Sequence, residues 1–197
     1  WWATNSLWGV RYVSVDSIAN NDVVVFVDPN TGATRSDLQK VVGSVIGGNV
    51  YLSPDERSVA TLTENGQGQQ VWNIKSVKTG EVLMEAVQPW RIPNENTRGA
   101  GVWSPSSTYF AFVGLPGPQV AAENDGSGII SLFDATDRKT EPLVESITGP
   151  FGKLTWSPVD DTIGFVEGFV MPGSTSGSEQ VLKLADSRDG HIRFNAP

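Results

Sequence analysis

The chain offers few side chains of the kinds that carry out acid–base, nucleophilic or metal chemistry. Its one histidine, His191, lies in the turn sequence 189–191, Asp-Gly-His, so a zinc site or a Ser-His-Asp triad would depend on it. There is no cysteine, which excludes disulfides, thiolate zinc sites and a Cys nucleophile. Segment 173–177, Gly-Ser-Thr-Ser-Gly, has Thr where a nucleophile elbow has Ser. We therefore expect no catalytic residue and no cofactor.

Acidic side chains occur in pairs, but each pair lies in a turn. Asp160-Asp161 follows a Ser-Pro step, and Asp186 and Asp189 belong to one tight turn. Asp favours such turns because its carboxylate accepts nearby backbone N–H groups, whereas glycoside hydrolysis needs two carboxylates across a cleft. Segment 123–127, Glu-Asn-Asp-Gly-Ser, alternates oxygen ligands but lacks the final Glu of an EF-hand loop. Glu123 and Asp125 are therefore weak calcium candidates, and no other metal site is expected.

Charge and composition restrict the possible partners. The formal charge of −8 and pI of about 4.6 argue against a nucleic-acid partner, which favours a basic surface. The 21 Gly and 12 Pro among 197 residues suit a single domain rich in tight turns. No stretch is long and apolar enough to span a membrane. The Trp1-Trp2 start is either the first strand of the domain or the edge of a missing upstream helix, through which a membrane would be reached.

A short sequence recurs and organises the chain. An apolar run ends in a bulky residue and is stopped by Ser-Pro at 51–54, 102–105 and 155–158. Proline ends the run because it fixes φ and has no N–H. The bulky residues Leu52, Trp103 and Trp156 lie 51 and 53 residues apart, and stepping back about fifty residues reaches Trp2. A period near fifty indicates a repeat architecture, and Trp2, Trp72, Trp103 and Trp156 are expected in its core.

Each repeat predicts four strands. After Ser-Pro comes a polar turn, then an apolar strand, a loop, a second strand such as 70–74, an Asp/Asn/Gly turn and a last short strand such as 80–84. Four antiparallel strands every fifty residues correspond to one blade of a β-propeller. In the first unit, 33–37 is the expected last strand, although 36–43 has weak helical spacing.

The residues 53–62, Ser-Pro-Asp-Glu-Arg-Ser-Val-Ala-Thr-Leu, with 77–81, Val-Lys-Thr-Gly-Glu, resemble the WD-like propeller repeat of the TolB type. That repeat reads Trp-Ser-Pro-Asp-Gly-Lys and later Asp-x-x-Thr-Gly. The glycine after Ser-Pro-Asp is absent from every unit here, and the first unit lacks Ser-Pro. The resemblance covers almost the whole chain and implies an all-β propeller that docks peptides or proteins at one face or at its central channel.

The predicted architecture is one all-β domain over 1–197, with four four-stranded blades at about 1–48, 49–99, 100–151 and 152–197. Repeats of this type usually form rings of six to eight blades. Two arrangements therefore stay open. The four units form a closed four-bladed ring, or they are an arc of a larger propeller whose terminal blades need covering.

Long connections predict a binding surface. In a propeller, the loop between the second and third strands and the connection to the next blade emerge on one face, which we call the loop face. The sequence has long segments of these kinds at 88–98, 115–126 and 169–177. Exposed apolar and Arg side chains on loops are typical of interaction sites. The candidate binding residues on these segments are Trp90, Arg91, Leu115, Phe169 and Met171.

Three functional hypotheses follow. The first is a non-catalytic protein-binding or scaffold module, extracytoplasmic and bacterial, either periplasmic or at the cell surface, with a protein or peptide partner. The second is the gating or substrate-selecting propeller of a larger peptidase or hydrolase, which a Gly-x-Ser-x-Gly sequence beyond Pro197 would favour. The third is a structural subunit of a membrane-associated assembly, which an apolar helix before Trp1 would favour.

Overall fold

The computed structural model describes residues 2–3, 8–13, 22–28, 31–42, 50–67, 69–87, 101–113, 115–116, 127–148, 154–170 and 178–196. These residues form sixteen β-strands and one short helix, and every strand pairing is antiparallel. The predicted all-β class is therefore confirmed. None of the described helical segments is long and apolar enough to cross a membrane.

The strands group into four sheets that follow the predicted units. Units one and two contain β1 (Trp2–Ala3), β2 (Trp8–Val13), β3 (Asp22–Val27), α1 (Ser36–Val42), β4 (Val50–Leu52), β5 (Ser58–Glu64), β6 (Gln70–Ser76) and β7 (Val82–Val87). Units three and four contain β8 (Gly101–Trp103), β9 (Tyr109–Val113), β10 (Leu115–Pro116), β11 (Ser127–Asp134), β12 (Lys139–Thr148), β13 (Thr155–Trp156), β14 (Thr162–Val170), β15 (Ser178–Asp186) and β16 (Ile192–Ala196). The sheet orders are β1-β2-β3, β10-β7-β6-β5-β4, β12-β11-β9-β8 and β13-β14-β15-β16.

The Ser-Pro turns repeat in atomic detail. In each, the serine N–H donates to the carbonyl five residues on, over 2.9 Å for Ser53 and 2.8 Å for both Ser104 and Ser157. Proline suits the next position because this hydrogen-bond pattern does not require its missing N–H. The predicted equivalence of the three Ser-Pro steps is confirmed, and each turn joins the short first strand of its unit to the second.

Unit one differs from the predicted four-stranded blade. Its tight turn is present, since the Gly32 N–H donates to the Asp28 carbonyl over 2.8 Å, but the strand predicted at 33–37 is reduced to one bridge between Val27 and Thr34. Helix α1 follows instead, with Leu38 and Val42 on its buried face. The segment forms a helix and not the predicted strand because residues four apart share one face of a helix, and that face packs on unit two.

The core consists of buried clusters that each span two neighbouring units. The first joins units one and two around Phe26, Leu38 and Leu52, the second joins units two and three, and another joins units three and four around Trp156. The innermost strands β4, β8 and β13 also lie beside one another. This is the face-to-face packing of neighbouring blades that a propeller requires.

Aromatic rings fill the contact between units two and three. Trp72, Phe110 and Trp103 are buried, with ring centroids 5.4 Å apart for Trp72–Phe110 and 5.0 Å for Trp103–Phe110. Gly101 allows this approach, because a Cβ at that position would lie 2.6 Å from both Phe110 and Trp72 ring atoms. Trp72, Trp103 and Trp156 are thus confirmed as core residues, while the Trp2 side chain lies outside the described residues.

Candidate binding site

The loop face of units two to four is built from strand ends. Strand β7 ends there at Val87, β9 ends at Val113, and β14 ends at Val170. The long segments predicted to carry the binding residues continue from these three ends. The antiparallel strand order therefore brings these three strand ends, from which the long segments continue, to one side of the molecule.

Leu115 lies in a strand and not, as predicted, in an irregular insertion. With Pro116 it forms β10, which leaves unit three and pairs with the outer strand of unit two, in the register Leu115↔Val87 and Pro116↔Ala86. This addition covers part of an otherwise open sheet edge, and a proline is tolerated because an edge strand need not donate every N–H. The chain thus ties the two units together at the loop face.

Phe169 also lies in a strand and not in the predicted insertion. Strands β14 and β15 pair continuously from Thr162↔Asp186 to Val170↔Ser178, whereas the innermost strand β13 pairs with β14 only at Thr155↔Gly164 and Trp156↔Ile163. The β14–β15 pair therefore extends beyond β13 on the loop face as a two-stranded arm, and Phe169 is part of this arm.

The other predicted site residues lie outside the described part of the chain. Trp90 and Arg91 follow the last described residue of β7 by three and four positions, and Met171 follows the last residue of β14 by one. The calcium candidates Glu123 and Asp125 also lie outside it. These assignments stay predictions.

Indole groups link unit three to unit two and unit four to unit three. Trp103 Nε1 donates to the Tyr51 carbonyl over 2.9 Å, and Trp156 Nε1 donates to the Val102 carbonyl over 3.1 Å. Both tryptophans occupy the same repeat position, and both acceptors precede that position in the preceding unit. The two indole–carbonyl bonds therefore join neighbouring units through their innermost strands.

The opposite face carries the Ser-Pro turns and the tight turns, and we call it the turn face. In the described part of the chain three non-glycine residues have positive φ: Glu56 at 60°, Ser107 at 64° and Arg138 at 56°. Glu56 and Ser107 stand where the TolB-type repeat has the glycine after Ser-Pro-Asp. Arg138 stands where the tight turns of the other units have Gly32, Gly80 and Gly190. An L-residue pays roughly 1–2 kcal/mol for this conformation.

Each of these three residues contacts the preceding unit. Glu56 Oε2 accepts a hydrogen bond from Arg35 over 2.9 Å, Ser107 Oγ accepts one from the Asp55 N–H over 2.9 Å, and Arg138 donates to Glu81 over 2.9 Å. The side chains that replace glycine therefore introduce backbone strain, and their hydrogen bonds to the preceding unit offset it.

Asp186 lies in an ion-pair network on the turn face. Its buried carboxylate accepts hydrogen bonds from Arg188 Nε at 3.0 Å and from Arg188 Nη2 at 2.8 Å, and it is also paired with Arg193. The Arg188 side chain, the Arg188 backbone N–H and Arg193 hold the pKa of Asp186 well below its usual range. The turn position was predicted, but the ion pair was not.

Two clefts of opposite charge open between units on the turn face. One, of about 460 Å³, lies between α1 and the β6–β7 hairpin and is lined by Lys40, Lys75 and Lys78. The other, of about 390 Å³, lies between units three and four and has acidic residues from both tight turns. The sequence carried a signal for the acidic cleft, because Asp137 and Asp189 stand where the repeat's Asp-x-x-Thr-Gly pattern has Thr.

The histidine and the acidic side chains of the described residues do not form a metal site. His191 is exposed, and its backbone N–H donates to Asp189 Oδ1 over 2.9 Å, as a turn residue would. Within the same residues, no group of three or more His, Asp or Glu side chains is placed to hold a metal ion. The segment 173–177 lies outside the described part.

Comparisons with solved structures find propellers. TolB from Acinetobacter baumannii superposes with a TM-score of 0.59 at 19% identity, covering 96% of this chain and 41% of that one. The β-propeller domain of the Trilobed protease from Pyrococcus furiosus superposes with a TM-score of 0.60 at 13% identity, covering 98% of this chain and 56% of that one. One of two prolyl endopeptidases analysed for inter-domain dynamics superposes with a TM-score of 0.63 at 16% identity, covering 97% of this chain and 28% of that one.

The chain thus spans less than two thirds of the length of each of these proteins. No protein-family model and no curated protein sequence matches it. Identities below 20% carry information about the fold alone. Together with the repeated turns and the clusters between units, the comparisons show that this chain has a TolB-like β-propeller fold.

Proposed function

We propose that the chain is a non-catalytic binding module that docks a protein or peptide on its loop face. The observation that carries the proposal is the convergence of β7, β10 and the β14–β15 arm on that face. Strands that end together hold the segments after Val87 and Val170 on a rigid base, and rigid scaffolds with variable loops are typical of recognition sites. Trp90, Arg91, Leu115, Phe169 and Met171 are the proposed contact residues.

A selection experiment tests this assignment. Peptides are selected from a random library on the immobilised chain, and their dissociation constants are measured for Trp90→Ala combined with Met171→Ala. We expect at least tenfold weaker binding with little change in melting temperature, because interface anchors carry most of the binding energy. The matched control is Val159→Ala, an 88% exposed residue of a Ser-Pro turn on the opposite face.

Two results would contradict the proposal. Selected peptides that bind the double variant as tightly as the wild type would place recognition elsewhere. A melting temperature lowered by many degrees would instead assign Trp90 and Met171 to the core. An extracytoplasmic, bacterial location belongs to the same proposal and is supported by the likeness to TolB and by the absence of cysteine.

A second candidate is the propeller of a larger peptidase. It is favoured by the likeness to the Trilobed protease propeller and to a prolyl endopeptidase, of which this chain covers 56% and 28%. In that case the loop face selects or admits substrates for a catalytic domain elsewhere in the protein. The coding sequence beyond Pro197 and the hydrolysis of fluorogenic peptides by the full-length protein test it, since an absence of hydrolysis would exclude this candidate.

A further inference from the structure

We propose that the acidic cleft between units three and four binds an arginine or lysine side chain of a peptide partner. The site lies on the turn face, opposite the loop face, and does not rest on the function proposed above. Its walls are the start of β9, strands β11 and β12 with the tight turn between them, and the tight turn of unit four.

The charges of the cleft favour a cation. Four carboxylates line it, from Asp134, Asp137, Glu141 and Asp189, against the two cations Lys139 and Arg188. Arg188 is already engaged by Asp186 through two side-chain hydrogen bonds. The excess is therefore negative, and clefts lined by one sign of charge concentrate oppositely charged ligands.

The walls also suit the stem of a long basic side chain. Leu132, Pro142, Leu143 and the Tyr109 ring contribute apolar surface to the same cleft. Arginine and lysine bury their methylene groups on such surface while the charged end stays near acceptors. Tyr109 stacks on Trp156 with an interplanar angle of 17°, which fixes this wall.

A buried hydroxyl without a partner points to a ligand at this place. Ser187 is 5% exposed and lines the cleft, and within the described residues its Oγ has no hydrogen-bond partner. Its backbone N–H donates to the Asp161 carbonyl over 2.9 Å, so the residue is held in position. Buried polar groups are nearly always paired, and rotation of this hydroxyl toward the cleft would let it accept a hydrogen bond from a guanidinium or ammonium group.

The tyrosine beside the cleft reports the same field. Burial raises the pKa of Tyr109, and the charges of Asp134, Asp161 and Asp137 raise it further. In the described residues no three acidic or histidine side chains are placed to hold a metal ion. The volume of about 390 Å³ and the apolar walls fit an extended organic side chain better than a small hydrated ion.

NMR titration of the whole chain tests the proposal. The probe is acetyl-Gly-Gly-Arg-Gly-Gly-amide, added to the ¹⁵N-labelled protein, and the matched probe has citrulline in place of arginine. We expect the largest amide shifts at Tyr109, Leu132 and Ser187 with the arginine peptide and none there with the citrulline peptide. Asp137→Asn and Glu141→Gln should each weaken binding roughly fivefold, because each removes one nearby charge.

The controls separate a built site from general acidity. Glu85→Gln, at an exposed position on β7 of unit two, removes the same charge and should leave the dissociation constant unchanged. Ser187→Ala should weaken peptide binding without lowering the melting temperature. The proposal is overturned if the arginine peptide produces no shifts at the cleft, or if Glu85→Gln weakens binding as much as Asp137→Asn.

Discussion

Replacing Trp103 tests whether the indole–carbonyl bonds hold neighbouring units together. The side chain is 7% exposed and packs on Phe110 with ring centroids 5.0 Å apart. Burial of about 200 Å² at about 25 cal/mol per Å² corresponds to about 5 kcal/mol. Trp103→Ala should therefore lower the free energy of unfolding by about 3–5 kcal/mol, the usual range for such a truncation.

A conservative variant isolates the hydrogen bond. Trp103→Phe keeps most of the aromatic surface but removes the N–H that donates to the Tyr51 carbonyl over 2.9 Å. Loss of the second ring and of the indole hydrogen bond together should cost about 2–3 kcal/mol. Trp156→Phe should behave alike, because Trp156 donates to the Val102 carbonyl over 3.1 Å.

The assay is urea unfolding followed by circular dichroism, which does not depend on tryptophan emission. Phe133→Leu is the control, since Phe133 is a fully buried ring in the cluster between units two and three and its loss removes area without an indole donor. It should cost about 1 kcal/mol. If Trp103→Phe costs no more than Phe133→Leu, the indole–carbonyl bond contributes nothing. If Trp103→Ala falls within about 1 kcal/mol of the wild type, the repeat alignment is wrong.

Three further predictions concern the turn face. Gly190→Ala should destabilise far more than Gly80→Ala in the same titration, because both have positive φ but only a Cβ on Gly190 would meet a backbone oxygen, at 1.9 Å; equal losses would contradict this packing. Glu56→Gly should cost less than Glu56→Ala by roughly 1 kcal/mol, since glycine relieves the positive φ while both lose the contact with Arg35; alanine at no extra cost would refute the strain. The pKa of Asp186 is lower in the folded than in the unfolded protein, so its pairing stabilises the protein above the unfolded pKa near 4, and this stabilisation is lost as the pH falls through the folded pKa. Asp186→Asn should therefore make the melting temperature fall less steeply with decreasing pH than it does in the wild type. Parallel plots of melting temperature against pH for the two proteins would refute the pairing.

The repeat was predictable because its signals are local. Proline after serine stops a strand wherever it occurs, so the spacing of the three Ser-Pro steps predicted the inner strands, their turns and the buried positions of Trp103 and Trp156. The bounds of β14 were predicted less well, because pairing with β15 continues through Phe169. Nothing in the composition of that segment distinguishes a long strand from a loop.

The features between units were not predictable from local patterns. The pairing of Leu115 with Val87 depends on a chain crossing from one sheet to another, and the contact of Ser107 with Asp55 depends on how closely two turns approach. Helix α1 replaced a predicted strand because its buried face is completed by residues of unit two. The missing glycines were noticed in the sequence, but only the structure shows what their replacements touch.

The indole–carbonyl bonds between units run in both directions along the chain, and their completion depends on the order of synthesis. Trp103 and Trp156 donate to carbonyls about fifty residues earlier in the chain, whereas Trp72 donates to the Val113 carbonyl of the following unit over 3.1 Å. An early unit therefore leaves the ribosome without hydrogen bonds that the next unit completes, such as the bond from the buried Trp72 indole. We expect each unit to complete its predecessor as it emerges, so that order spreads from the N-terminal side. A nascent chain halted after unit three would still lack the Trp156 indole that donates to the Val102 carbonyl.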